Sequence, residues 1–111
     1  MSGITELLKN HIDTYQCIGL NLDHLQDDDK HALDCMTAES MVMERDTGWF
    51  VKLYEVDDES VSVEEHYKRL YPGATENLLS IMCAVYRAGF RLIEFDTDAL
   101  HVDDLPVFDG Q

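Results

Sequence analysis

The residues best suited to chemistry lie near the C-terminal end, where carboxylates recur at alternate positions and a histidine follows. In a β-strand Asp96 and Asp98 would point to the same face, so their carboxylates can converge. With His101 they offer ligands that a divalent cation takes, although the glycine at the sixth position of a calcium loop is absent. The same residues fit a solvent-facing strand end whose short acids accept backbone N–H bonds from the next turn. Two interpretations stay open, a metal or hydrolytic site at Asp96, Asp98 and His101, or an ordinary acidic surface.

A second group of acids and histidines lies between residues 23 and 31 and consists of Asp23, His24, Asp27, Asp28, Asp29 and His31. His24 and His31 are seven positions apart, whereas the helical zinc-protease motif places two histidines four apart, with a glutamate after the first. Carboxylates in the first turn of a helix interact favourably with the positive end of its dipole. We therefore interpret this group as the start of a helix.

No nucleophile and no phosphate-binding loop stands in a recognisable context. The Gly-x-Ser-x-Gly pattern is absent, and only 6 glycines are available for glycine-rich loops. A distant pair, such as Cys35 or Cys83 with His66 or His101, can meet only if the fold brings it together, and nothing in the sequence indicates this. We therefore expect no enzyme activity and no cofactor.

The elements that must position these residues alternate between helix and strand. Hydrophobic periodicity predicts four helices, over residues 2–12, 27–36, 62 to before Pro72, and 75–88. Alternation of apolar and polar residues predicts four strands, over residues 15–22, 41–45, 49–54 and 90–95. From about residue 97 the chain reads as an extended tail, and its apolar residues Leu105, Val107 and Phe108 are expected to pack along the domain.

Local signals fix several of these boundaries. Ser62 and Glu65 have the spacing of a capping box, and Gly89 is well placed to terminate the helix before it. Asp46-Thr47-Gly48 separates two strand-like segments. This three-residue connection predicts a hairpin in which Gly48 has a positive φ.

Together the elements predict a single α+β domain over residues 1–111, a mainly antiparallel sheet with helices on one face. After the N-terminal helix the order is strand, helix, strand, strand, helices, strand. This order matches the split β-α-β arrangement of ferredoxin-like folds.

The net charge of the chain limits the classes of partner that it can bind. It has 8 Lys and Arg against 23 Asp and Glu, a net charge of −15 over 111 residues. This charge repels nucleic acid and anionic membranes and attracts basic protein surfaces, such as those of nucleic-acid-binding proteins. An apolar content of 45% distinguishes the chain from an acidic disordered tail. The acids expected to form a partner-binding surface are Asp27, Asp28, Asp29, Asp57, Asp58, Glu59, Glu64, Glu65, Asp103 and Asp104.

The cysteines and the N-terminal residues bear on the cell compartment. Cys17, Cys35 and Cys83 are an odd number without paired spacing, which argues against a disulfide framework and for a reducing interior. We interpret all three as small buried hydrophobes. Neither a run of about 18 apolar residues nor a secretory signal pattern is present, so we expect a cytoplasmic protein.

The closing residues carry a resemblance to a known family. Residues 91–99, RLIEFDTDA, contain an aromatic-Asp-x-Asp strand end, and residues 102–108, VDDLPVF, contain a Leu-Pro-x-aromatic tail. This last third of the chain resembles a small bacterial domain family of unknown function, often carried on plasmids and integrated conjugative elements. Ala88-Gly89-Phe90 and Gly48-Trp49-Phe50 fit it more weakly. The resemblance implies a mobile-element accessory protein and brings no catalytic residue with it.

Two classes of function follow from these observations. The first is a non-enzymatic interaction protein whose acidic surface docks on a basic partner, in the extreme case as a nucleic-acid mimic that inhibits a defence or DNA-binding protein. The second is a small metal-binding or hydrolytic domain centred on Asp96, Asp98 and His101. Low pI also serves solubility alone, so the charge by itself leaves the first class open.

Overall fold

The computed structural model describes residues 2–37, 42–56, 60–103 and 105–108. The described helices are α1 (Ser2–Lys9), α2 (Asp27–Met36), α3 (Val63–Leu70) and α4 (Glu76–Arg87), with a single 3-10 turn at Leu22–His24. The described strands are β1 (Gln16–Asn21), β2 (Val42–Arg45), β3 (Gly48–Lys52) and β4 (Phe90–Asp96). The chain is a small α+β domain, as the sequence predicts.

The four strands form one mixed sheet in the order β1-β4-β3-β2. The β1 and β4 strands are parallel, with Ile18 opposite Ile93, whereas the other two neighbouring pairs are antiparallel. In a split β-α-β unit one strand lies between the two strands joined by the crossover helix, but here both β4 and β3 lie between β1 and β2. The ferredoxin-like order is therefore wrong, because helical periodicity and strand alternation do not encode which strands pair.

The core lies on one face of this sheet. Ile93 and Phe95 of β4 are fully buried, while Leu92 and Glu94 on the opposite face are half-buried. The buried cluster continues through the inner faces of α2, α3 and α4. The prediction that helices cover one face is confirmed, and alternation along β4 is its cause.

Helix ends follow the capping signals. The Ser62 hydroxyl accepts a hydrogen bond from the Glu65 N–H at 3.1 Å, and the Thr75 hydroxyl accepts one from the Leu78 N–H at 3.2 Å. Gly89 ends α4 with a φ of 102°, a conformation that costs glycine little. These three boundaries are confirmed.

The hairpin between β2 and β3 differs from the expectation. Gly48 pairs with Arg45 inside the ladder, so the connection is the two residues Asp46 and Thr47. Among the described residues Gly89 alone has a positive φ, so Gly48 does not supply one. Glycine is needed at position 48 for a different reason, because a Cβ there would lie 1.7 Å from the Phe95 carbonyl oxygen of β4.

Two tyrosines fasten the α3 region to the end of β3. The buried Tyr67 and Tyr71 hydroxyls donate to the backbone carbonyls of Tyr54 and Lys52 respectively. Burial raises the pKa of both phenols well above the ordinary value. Both hydroxyls are therefore held in the neutral, hydrogen-bond-donating form.

Helix α1 stands apart from this core. It ends at Lys9, earlier than the predicted residue 12, and its apolar residues remain exposed, Leu7 to 72% and Leu8 to 64%. The amphipathic pattern is therefore correct, but the domain does not cover its apolar face. Within the described segments, no helix combines the length and apolar character needed to cross a membrane.

The cysteine interpretation holds for one residue of three. Cys83 is buried in α4, whereas Cys17 and Cys35 are exposed. Burial is the main cause that raises the pKa of the Cys83 thiol, and Glu64 adds to it. Cys17 lies on the open face of β1 and Cys35 on the outer face of α2, positions that an apolar neighbour in sequence does not reveal.

Candidate functional site

The best candidate site is the edge of the sheet where β1 and β4 end. Because the two strands are parallel, Asn21 and Asp96 lie opposite each other at this edge. The Asn21 side-chain amide donates to the carbonyl oxygens of Thr97 at 3.2 Å and Ala99 at 2.7 Å. The first residues of the tail are thereby fixed beside the end of β1.

The β2–β3 turn reaches the same edge. The Thr47 hydroxyl donates to Asp96 Oδ2 at 3.1 Å, and the Thr97 N–H donates to the Thr47 carbonyl at 3.2 Å. The exposed Asp46 is therefore carried to the edge as well.

Asp96 has the structural role that the sequence allowed for it. Its Oδ1 accepts the Asp98 N–H at 2.9 Å, which closes the turn after β4. Both carboxylate oxygens of Asp96 are thus engaged by neighbouring protein groups.

His101 does not join Asp96 and Asp98. Its Nε2 lies 3.0 Å from Asp23 Oδ2, in the turn after β1. No three His, Cys, Asp or Glu side chains of the described ranges are arranged to hold a metal ion. The alternative metal set is therefore not assembled, because the tail turns His101 toward Asp23.

His24 occupies the centre of this region and is fully buried. Its Nδ1 lies 2.8 Å from the Pro106 carbonyl oxygen, and its Nε2 accepts the Val102 N–H at 2.9 Å. Its ring also contacts His101 edge-on, with 5.5 Å between centroids. The sequence-based interpretation grouped His24 with the acids at the start of a helix, and the signal for its burial was the apolar pair Leu22 and Leu25 around it.

Asp29 is not a surface acid. It is fully buried, and its carboxylate accepts hydrogen bonds from the Gln26 N–H at 2.7 Å, the Asn77 amide at 2.7 Å and the Thr75 hydroxyl. The Asn77 amide also donates to the His24 carbonyl at 3.2 Å. Asp29 is therefore not part of the predicted partner-binding surface, because the packing of α2 against the start of α4 turns its side chain inward.

Three other predicted surface acids are exposed at this end of the domain, namely Asp27 and Asp28 in the first turn of α2 and Asp103 in the tail. We call the exposed and half-buried acids of this region the acidic edge: Asp23, Asp27, Asp28, Asp46, Asp96, Asp98 and Asp103. Asp57, Asp58, Glu59 and Asp104 lie outside the described residues.

Glu64 and Glu65 are exposed on α3 and are paired with cations. Glu64 lies 2.7 Å from Arg87 in the last turn of α4, and Glu65 lies 3.6 Å from Arg69. Hydrogen bonding from Arg87 lowers the pKa of Glu64. Since Asp29 contacts the first turn of α4, Glu64 is separated from the acidic edge by the length of that helix.

The Lys and Arg ion pairs of the described surface lie away from the acidic edge, although Lys30 directly follows Asp27, Asp28 and Asp29 in α2. These ion pairs lie on α1, on α3 with the end of α4, and between Arg91 and Glu55 at 2.7 Å. The Arg91 hydrogen bond lowers the pKa of Glu55 and raises that of Arg91. Among the described residues at the acidic edge, His101 Nε2 lies 3.0 Å from Asp23 Oδ2, a contact that is an ion pair only when the imidazole is protonated.

A thiol and an imidazole meet on α2, although in a pair that the sequence did not single out. Cys35 Sγ and His31 Nε2 are 3.6 Å apart, one helical turn from each other, and both residues are exposed. Cys35 is therefore matched with His31 rather than with His66 or His101.

Fold and site together define a small acidic α+β domain with helices packed on one sheet face and a carboxylate-rich edge. The chain belongs to the family of unknown function DUF5983, whose C-terminal domain matches residues 17–110. The predicted resemblance to a family of unknown function is confirmed, over most of the chain rather than its last third, and α1 precedes the matched region. Comparison with curated proteins and with solved structures found no match.

Proposed function

We propose that this domain is a non-enzymatic interaction protein whose acidic edge docks on a basic protein surface. The observation that carries the proposal is the set of seven exposed or half-buried carboxylates at the ends of β1 and β4, in the β2–β3 turn, at the start of α2 and in the tail. The partner class is a nucleic-acid-binding protein, and the carboxylates would occupy positions that phosphates otherwise take. In its cellular setting the domain would act in the cytoplasm as an accessory protein of a bacterial mobile element.

The exposed position of these acids favours electrostatic attraction of a partner over the burial of charged groups in an interface. Asp27, Asp28 and Asp103 are exposed, so they can pair with Arg and Lys of a partner at little desolvation cost. Complementary charge of this kind accelerates association and weakens as salt screens it. Direct binding to nucleic acid is disfavoured by the same charge, since no counterions would be released.

The metal-binding or hydrolytic alternative has less support. Asp96 and His101 are each engaged by other protein groups, and His101 is turned toward Asp23 rather than toward Asp96 and Asp98. The exposed Cys35 and His31 pair lies on a helix surface rather than in this region.

The test compares two sets of charge-neutralising substitutions with equal change in net charge. The edge variant carries Asp27→Asn, Asp28→Asn and Asp103→Asn, and the control variant carries Glu6→Gln, Glu64→Gln and Glu65→Gln on α1 and α3. Proteins retained from bacterial lysate on each immobilised variant at low and high salt are identified, and the affinity of a retained protein is then measured with purified components.

The proposal expects a nucleic-acid-binding protein that is retained at low salt, released at high salt, competed by duplex DNA and bound more weakly by the edge variant alone. Equal weakening by both variants would show that overall charge, not the acidic edge, is responsible. Retention of no salt-sensitive protein would contradict the proposal for lysate partners.

A further inference from the structure

The tail contains a segment that is held at two residues, Asp23 and His24. We call its described residues, 101–103 and 105–108, the strap. It is attached through the two His24 ring nitrogens, through His101 Nε2, which lies 3.0 Å from Asp23 Oδ2, and through the Phe108 N–H, which donates to the Asp23 carbonyl at 2.6 Å. Leu105 is the apolar residue of the strap that packs against the buried cluster.

An apolar groove lies beneath the strap. Its cavity of about 150 Å³ is lined by β1, α4 and the start of β4, with Leu20, Ile81 and Phe90 among its walls, and by Val102 and Leu105 of the strap itself. Val107 at the far end of the strap is half exposed. Since Leu105 is the strap residue that packs against the buried cluster, the hydrogen bonds to Asp23 and His24 contribute substantially to holding the strap in place.

The hydrogen bonds of His24 fix its protonation state in the closed form. Since the Val102 N–H can only donate, Nε2 must offer its lone pair, and the proton of a neutral ring then lies on Nδ1, where it bonds to the Pro106 carbonyl. A proton added at Nε2 would face the Val102 N–H, donor against donor. The neutral ring alone can hold both ends of the strap.

We propose that His24 is a pH-sensitive latch: neutral His24 closes the strap over the apolar groove, and protonated His24 releases it while the rest of the domain stays folded. This inference does not depend on the proposed function. A released strap would uncover Leu20, Ile81 and Phe90 and would move Asp103 away from the acidic edge.

The titratable groups around His24 include His101 of the strap and Asp29 of α2. From the strap, the His101 ring faces the His24 ring with 5.5 Å between centroids, and its Nε2 lies 3.0 Å from Asp23 Oδ2. From α2 the buried Asp29 acts only through Asn77 of α4, which contacts the His24 backbone rather than the ring.

The experiment is amide hydrogen exchange at Val102, measured by NMR on the full chain between pH 5 and pH 8. An imidazole released to solvent titrates near pH 6.5, so the protection factor of the Val102 amide should fall by about tenfold per pH unit below about pH 6. The Leu53 amide, bonded to the Arg91 carbonyl in the sheet, is the internal control and should keep its protection. Constant protection at Val102 over this range would overturn the proposal.

Two further measurements separate the latch from a general loosening. His24→Gln keeps an acceptor but cannot titrate, so it should abolish the pH dependence at Val102, whereas His101→Gln should retain it. If His24→Gln fails to fold, the ¹⁵N chemical shifts of the native His24 ring provide the test. A ring protonated at Nε2 at pH 8 would contradict the proposed hydrogen bonds of His24. The same pH dependence in His24→Gln as in the native chain would also refute it.

Discussion

The Asn77 amide of α4 donates a part-buried hydrogen bond of 2.7 Å to the Asp29 carboxylate of α2, and the same amide also donates to the His24 carbonyl. The start of α2, the start of α4 and the turn after β1 are thus linked by one carboxylate.

Replacing Asp29 should therefore destabilise the domain far more than replacing its neighbour. In Asp29→Asn the charged acceptor of three hydrogen bonds becomes a neutral amide, and the weaker bonds should cost about 2–3 kcal/mol of unfolding free energy. Asp28→Asn removes the same charge from an exposed position in the same turn and should cost less than about 1 kcal/mol. Urea unfolding of both variants measures the difference, and equal effects would contradict the buried network.

Gly48 should tolerate no side chain. Since a Cβ would lie 1.7 Å from the Phe95 carbonyl oxygen, Gly48→Ala must push β3 and β4 apart and should cost more than about 2 kcal/mol. Gly19→Ala is the matched control on β1, where the added Cβ meets the Ala99 side chain at an ordinary 3.7 Å and should change stability by less than about 1 kcal/mol. Thermal unfolding followed by circular dichroism compares the two, and a mild effect of Gly48→Ala would show that the strands separate easily.

Stability should decline in alkaline solution because of Tyr67 and Tyr71. Burial raises their pKa in the folded state above the unfolded value near 10, so their contribution is complete below about pH 10 and is lost as pH rises further. Tyr67→Phe and Tyr71→Phe should each flatten the fall in urea midpoint between pH 9 and pH 11, whereas Tyr15→Phe, at an exposed position, should not. An unchanged slope in both buried variants would mean that other groups govern alkaline unfolding.

Helix α1 should be dispensable for the stability of the domain. Its apolar residues are exposed and the family match begins at residue 17, so removal of residues 1–12 should change the unfolding free energy by less than about 1 kcal/mol. Urea titration of the shortened chain and the full chain at several concentrations is the measurement. A concentration-dependent loss of stability on truncation would instead show that α1 packs on a second copy.

The sequence by itself determined the helices and strands, because the signals for them are local. Ser62, Thr75 and Gly89 set helix ends through groups within a few residues, and alternation along β4 fixed which side chains enter the core. The charge of −15 is likewise a property of composition.

Tertiary structure decided what depends on contacts between distant residues. The pairing of β1 with β4 determined the sheet order. The close approach of the Phe95 backbone explains why position 48 must be glycine. Asp28 and Asp29 are chemically alike and adjacent in sequence, yet only the packing of α2 on α4 buries one and exposes the other. In the same way His24 became buried only when the strap, about eighty residues later in the chain, supplied partners for both ring nitrogens. Burial and partners of a polar side chain depend on which segments meet, and no local pattern records that.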